Sequence, residues 1–293
     1  MSTTNVSVPF VVTPELKAFR TLFKMIDPVA PNIASRIALR LFLTPARRQS
    51  SPKAKALFST ATVTSTTHGS REIVTYVWEN SGPKILLVHG WGSDATGFYR
   101  LIPPLLEEGF EVIAFDAPAH GRSEGKQTNV LDFSGAILDV INQHGPFETV
   151  IGHSFGAATS LYALSANPNL TIQKAVTLGA PTQFSELLNV WASVLLLPPK
   201  IFEGFLQKIV DRVGVPIQSL DIDQKVAHLS IPGLIVHDQD DNIVSVDNGK
   251  KLAQQWSNSE FLETRKLGHR GILRDDEVIQ KIVSFVCKSQ KLS

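Results

Sequence analysis

The stretch ETVIGHSFGAATSLYALSA, residues 148–166, decides how the rest of the chain is read. Thr149–Gly152 is apolar and β-branched and predicts a short buried strand, whereas Phe155–Ala166 predicts a helix. Gly152-His153-Ser154-Phe155-Gly156 lies between them and leaves almost no room for a loop. So abrupt a turn strains the backbone of its central residue, and bulky neighbours would strike the strand or the helix. Gly152 and Gly156 remove those collisions, and Ser154 can then project its hydroxyl clear of the sheet. The helix start behind it offers unpaired N–H groups and a positive dipole end to a developing anion. G-x-S-x-G alone is a weak signal. A strand leading in and a helix leading out give it the setting of an activated nucleophile.

Outward from this stretch, short apolar runs alternate with helical patterns. KILLVHG precedes a helical stretch near Phe98–Glu108, EVIAFDAP precedes VLDFSGAILDVINQHG, and KAVTLGAP follows the serine helix. After a long insertion come GLIVHDQDD, the helix VDNGKKLAQQWS, FLETRKLGH and the helix DDEVIQKIVSFV. This alternation predicts an α/β fold, a mostly parallel sheet of about eight strands with helices on both faces. Upstream, TATVTSTTH and EIVTYVWEN alternate around His68-Gly69-Ser70 and predict an antiparallel hairpin. The core is expected over residues 58–181 and 224–293. Residues 182–223, with the helical patterns FSELLNVWASVLLL and PKIFEGFLQKIVDRVG, read as a cap inserted where strand C-termini emerge. Trp191, Leu195–Leu197, Phe202 and Phe205 would line its apolar underside.

Hydrophobic content of 43% and charged content of 19% place the chain among water-soluble globular proteins. Its net charge of +1 gives no reason to expect a nucleic-acid partner. The average conceals an asymmetry. Residues 1–57 carry Lys17, Arg20, Lys24, Arg36, Arg40, Arg47, Arg48, Lys53 and Lys55 against Glu15 and Asp27, a net of +7, so the remainder carries −6. This basic N-terminal extension contains two amphipathic helices, PELKAFRTLFKMI and IASRIALRLFLTPARR, with RRQSSPKAKA as a linker out of it. Such helices ordinarily pack on a protein body with a solvated basic rim; the alternative is peripheral contact with a membrane surface or a partner. No run is long enough to span a bilayer. A single cysteine, Cys287, excludes an internal disulfide and a multi-cysteine metal site, and a reducing, cytoplasmic setting is expected. No cofactor is expected: there is no phosphate-cradling glycine motif, and the histidines lack metal-ligand spacing. No feature addresses oligomeric state.

A serine nucleophile needs a base, and the base needs an orienting carboxylate. His153 adjoins the serine but should point away at the turn, and His89 and His120 lie in loops after earlier strands. His269 directly follows FLETRKL, at the sheet edge where the loops meet, and is the candidate base. Asp238, Asp240 and Asp241 end the strand before it. A cluster of acids in a loop is commonly solvated surface, yet this loop lies between serine and histidine in chain order. Asp241 is preferred by analogy with the Ser…Asp…His order, with Asp240 as the alternative.

These motifs together resemble the α/β-hydrolase superfamily over about residues 58–289. VHGWG (88–92) is similar to the family's loop after the third strand, and FDAPAHGRS (115–123) to its D-x-x-G-x-G-x-S segment. GHSFG, HDQDDNIV and GHRGIL are similar to the elbow, acid and histidine loops. The resemblance implies an oxyanion hole from the backbone N–H groups of Trp91 and Phe155. It implies a serine carboxylesterase acting on a small acyl substrate. Thioesterase, lipase-like and C–C bond hydrolase activities fit as well, and a ligand receptor or membrane-associated scaffold on the same fold is the reading of another class. Three residues depart from the family pattern: Ala119 and Asp238 stand where glycine is usual, and Ser245 where proline is.

Overall fold

The computed structural model describes residues 13–288; residues 1–12 of the N-terminal extension and the last five residues of the core lie outside that range. Eight strands form one sheet: β1 (Thr62–His68), β2 (Arg71–Trp78), β3 (Lys84–Val88), β4 (Glu111–Phe115), β5 (Thr149–His153), β6 (Lys174–Leu178), β7 (Gly233–Asp238) and β8 (Ser259–Thr264). Their spatial order is β1-β2-β4-β3-β5-β6-β7-β8. β1 and β2 form the hairpin expected around Gly69, with His68 opposite Arg71, and β2 is also antiparallel to β4. All other neighbours are parallel.

The strand sequences explain this arrangement. Ile85, Leu86, Leu87 and Val88 of β3 have no exposed surface, as suits a strand covered on both faces. Each such side chain contributes roughly 1.5–3 kcal/mol by leaving water. The edge strands β1 and β8 are partly exposed and rich in polar residues. Three parallel strands, β5, β7 and β8, therefore end on the same edge of the sheet, carrying Ser154, the acid loop and the histidine loop respectively.

The helices fall into two compact units. Residues 45–182 and 222–288 hold the sheet with α3 (Pro52–Phe58), α4 (Ile102–Glu107), α5 (Val130–His144), α6 (Phe155–Ala166), α9 (Val246–Gln255), α10 (Gly268–Gly271) and α11 (Asp276–Cys287). The described part of the second unit, residues 13–44 and 183–221, holds α1 (Pro14–Ile26), α2 (Pro31–Leu43), α7 (Phe184–Leu195) and α8 (Pro199–Val213). The sequence reading divides the chain otherwise, keeping 1–57 apart from 182–223. The difference comes from the faces of α2 and α8. Ala34, Ser35 and Ala38 are small and buried, and the Ser35 hydroxyl donates to the Ile201 carbonyl at 3.0 Å.

Two further expectations are corrected. The stretch read as a linker ends in α3, capped by the Ser51 hydroxyl, and its Phe58 packs edge-on against Tyr76 and Trp78 at 4.9 Å from each. Phe205 and Leu195, expected beneath a cap, are buried, and Phe205 packs against Phe42 at 5.5 Å and Trp191 at 5.1 Å. Their apolar character serves the interior of their own four-helix unit. A sequence shows that a helix face is apolar without showing which partner covers it.

Candidate active site

Ser154 caps the N-terminus of α6 with φ 54° and ψ −124°, a conformation that costs an L-residue of order 1–3 kcal/mol. Both glycines are sterically required. A Cβ on Gly152 would lie 2.5 Å from the Ala157 Cα, and one on Gly156 would lie 2.2 Å from the His89 carbonyl oxygen. Gly152 thus admits the helix, as expected, while Gly156 admits the chain leaving β3. With no room to relax, the turn holds the hydroxyl outward.

The structure brings Ser154, His269 and Asp241 together. His269 Nε2 lies 2.8 Å from Ser154 Oγ, and His269 Nδ1 lies 2.6 Å from Asp241 Oδ2. A carboxylate only accepts, so Nδ1 carries the imidazole proton and Nε2 of the neutral ring is the acceptor facing the serine hydroxyl. Asp241 Oδ1 accepts from the N–H groups of Ile243 and Val244. Burial pushes its carboxyl up, but the bonds from His269, Val244 and Ile243 outweigh this and hold it below the ordinary carboxylate range.

The other two acids are placed elsewhere. Asp240 accepts from the Lys266 N–H and does not reach His269. Asp238 is fully buried and accepts from the Thr264 hydroxyl and from the N–H groups of Asp240, Leu267 and Gly268. Burial raises its carboxyl, and the Thr264, Gly268, Asp240 and Leu267 bonds more than reverse that, leaving it below the ordinary range. The aspartate that stands where glycine is usual therefore pins the two residues preceding His269. Ser245, the second departure, caps α9, its hydroxyl accepting from Asp247 N–H. Ala119, the third, sits at φ 66°, in the region that glycine favours.

Four buried histidines around the site were not assigned roles from sequence. His153 points away from the serine, as expected, and its Nε2–H donates to the His269 carbonyl at 2.8 Å. His237 donates to the Val244 carbonyl from beneath Asp241, 3.6 Å from Oδ2. His89 Nε2 accepts from Ala117 N–H at 2.9 Å, and His120 Nε2 accepts from Gly92 N–H at 3.0 Å. These last two tie the loop after β3 to the loop after β4. Burial keeps them neutral, lowering His89 to about 4 and His120 to about 3. Burial likewise lowers His153 to about 3. The signal available in sequence was their place at strand ends. The N–H donors they meet are 28 residues away for His89 and His120, beyond any local pattern.

The two proposed oxyanion donors lie on either side of this frame. Phe155 opens α6, so its N–H has no intrahelical acceptor. The Gly92 N–H is taken by His120, and the Trp91 ring packs edge-on against Phe155 at 5.2 Å. Gly179, after β6, is a further site residue that sequence did not flag: a Cβ there would lie 3.3 Å from both Asp241 Oδ2 and His269 Nδ1.

The fold that carries this arrangement is similar to that of known proteins. Residues 83–217 match the model of the α/β hydrolase fold. An uncharacterized hydrolase of Bacillus subtilis, YugF, is 25% identical over 235 residues, covering 66% of this chain and 85% of the relative. The bifunctional esterase/perhydrolase DCH of Acinetobacter calcoaceticus is 21% identical over 256 residues, covering 70% and 91%. Among solved structures, the esterase EaEST from Exiguobacterium antarcticum superposes with a TM-score of 0.62 at 19% identity, covering 78% of this chain and all of that one. The chain has the α/β-hydrolase fold, and its central part carries that family's sequence pattern. Family and relatives together support hydrolytic chemistry in general.

Proposed function

We propose that the chain is a serine hydrolase that cleaves an ester-type acyl bond through an acyl-enzyme. The observation that carries this reading is the unbroken path from Ser154 Oγ through the His269 ring to Asp241, at 2.8 and 2.6 Å. His269 Nε2 takes the hydroxyl proton as Oγ attacks the acyl carbonyl carbon. Asp241 accepts from Nδ1–H throughout and balances the imidazolium that forms. The tetrahedral oxyanion is held by the Trp91 and Phe155 N–H groups, aided by the α6 dipole. Nε2–H then passes its proton to the leaving alkoxide, the C–O bond breaks, and a serine ester remains. Water, deprotonated by the same nitrogen, attacks that ester and releases the acid while the proton returns to Oγ.

An ester is favoured because relatives are named as an esterase and as a lysophosphatidylserine lipase, the latter 30% identical over about half of its own length. Another relative is named as a 2-hydroxy-6-oxononadienedioate hydrolase, which keeps C–C bond cleavage as the second substrate class. The test is turnover of p-nitrophenyl acyl esters of graded chain length by the wild type and Ser154→Ala. Multiple turnover that vanishes in the variant is expected. Equal rates in both proteins, or ligand binding without turnover, overturns the reading.

A further inference from the structure

The described residues expose six large apolar side chains substantially: Met25, Val29, Ile33, Val63, Leu196 and Ile243. Isolated ones need no explanation, but Met25, Val29 and Ile33 fall within nine residues, at the elbow where α1 turns into α2. Their exposures are 70%, 80% and 56%. The elbow is firmly built. Val29 and Ala30 N–H both donate to the Ile26 carbonyl, Ile33 N–H donates to Ala30, and Pro31 opens α2 at once. The inner sides of both helices are already used, with Phe23 of α1 and Ala34 and Ala38 of α2 buried. The three side chains are therefore presented outward by a rigid turn.

Charge decides what this tip fits. Lys24 adjoins Met25, and Arg36 lies one helical turn beyond Ile33; both are exposed and pair with no carboxylate among the described residues. Residues 13–44 carry Lys17, Arg20, Lys24, Arg36 and Arg40 against Glu15 and Asp27, the most basic part of this helical unit. An apolar point flanked by two exposed cations, with Asp27 half-buried in the turn between Met25 and Val29, suits an anionic lipid surface, where apolar groups enter the acyl boundary and lysine or arginine meets headgroup phosphates. Three side chains fall well short of the ~800 Å² per partner of a stable protein interface. We infer that the α1–α2 elbow docks the protein peripherally on anionic membranes, with Met25, Val29 and Ile33 inserting and Lys24 and Arg36 contacting headgroups. This inference stands apart from the reaction at Ser154.

The test is co-sedimentation of the full chain with vesicles of phosphatidylcholine alone or mixed with phosphatidylglycerol. Binding is expected to the mixed vesicles and to weaken as salt is raised. The triple variant Met25→Glu, Val29→Glu, Ile33→Glu should lose at least about tenfold in partitioning. Lys24→Glu with Arg36→Glu should lose the salt-dependent part alone. Circular dichroism and the thermal midpoint check that each variant folds. Should the triple variant fail to fold, Val29→Glu in the turn serves alone, with a loss of several-fold expected. Absence of wild-type binding to mixed vesicles overturns the inference, as does a folded variant that binds like wild type. A variant that instead turns a dimer into a monomer assigns the patch to a second copy and overturns it as well.

Discussion

Two histidines of the sheet-bearing unit each sit against carboxylates, and they are built for opposite ends. His269 meets Asp241 through Nδ1 and a hydroxyl through Nε2. His68, on β1, meets Asp139 through Nδ1 at 2.7 Å and Asp132 through Nε2 at 3.1 Å, while Arg71 pairs with the same Asp132. A ring with acceptors on both sides must donate from both nitrogens and is an imidazolium. The Asp132 bond raises His68, burial works against it, and Asp139 adds to the rise, so the net shift is upward. One histidine keeps a lone pair free for proton transfer; the other has none to give. A base is thus distinguished from a clamp by the group on its second nitrogen.

The largest effects should follow from breaking the first arrangement. Ser154→Ala or His269→Gln should lower kcat on an activated ester by about 10⁴–10⁶-fold, while His68→Gln leaves kcat/KM within about twofold of wild type. Asp241→Asn should cost about 10⁴-fold in kcat by disturbing the tautomer, and Asp240→Asn almost nothing. Equal losses in these two acids would show that the geometry misassigns the carboxylate. Asp238→Asn places amide hydrogens against backbone N–H donors and releases the residues before His269. It should cost about 10–100-fold in kcat with little change in KM, read from steady-state kinetics.

The smallest effect sharpens the comparison from the other side. A raised histidine stabilises the fold fully below its unfolded value of ~6.5, and that stabilisation is lost as pH rises through the folded value. His68→Gln should therefore lower stability by roughly 1 kcal/mol at acid pH and progressively less toward alkaline pH. Thermal midpoints of both proteins across pH would show the gap closing. A gap that widens with pH would contradict the imidazolium assignment.

The fold was legible because β strands and helices alternate in period along the chain, and every strand of the sheet announced itself as a short apolar or alternating run. Ser154 was legible for a local reason, two glycines at fixed spacing between a strand and a helix. His269 and Asp241 were legible only through chain order. What escaped was set by contacts distant in sequence. Asp238 was the least favoured of three clustered acids and had no role in the sequence reading, yet its partners Leu267 and Gly268 lie 29 and 30 residues on. Phe205 looked like pocket lining, because amphipathicity is the same whether a neighbouring helix or a ligand covers the face.

His89 and His120 carry a consequence for life in acid. Each accepts a backbone N–H through Nε2, so a proton arriving there sets donor against donor inside the interior. Both are depressed in the native protein, whereas the unfolded chain takes up those protons near ~6.5. Each therefore erodes stability as pH falls below that value, down to about 4 for His89 and about 3 for His120. The loops they tie carry Trp91, so acidification unfastens the backbone that frames Ser154.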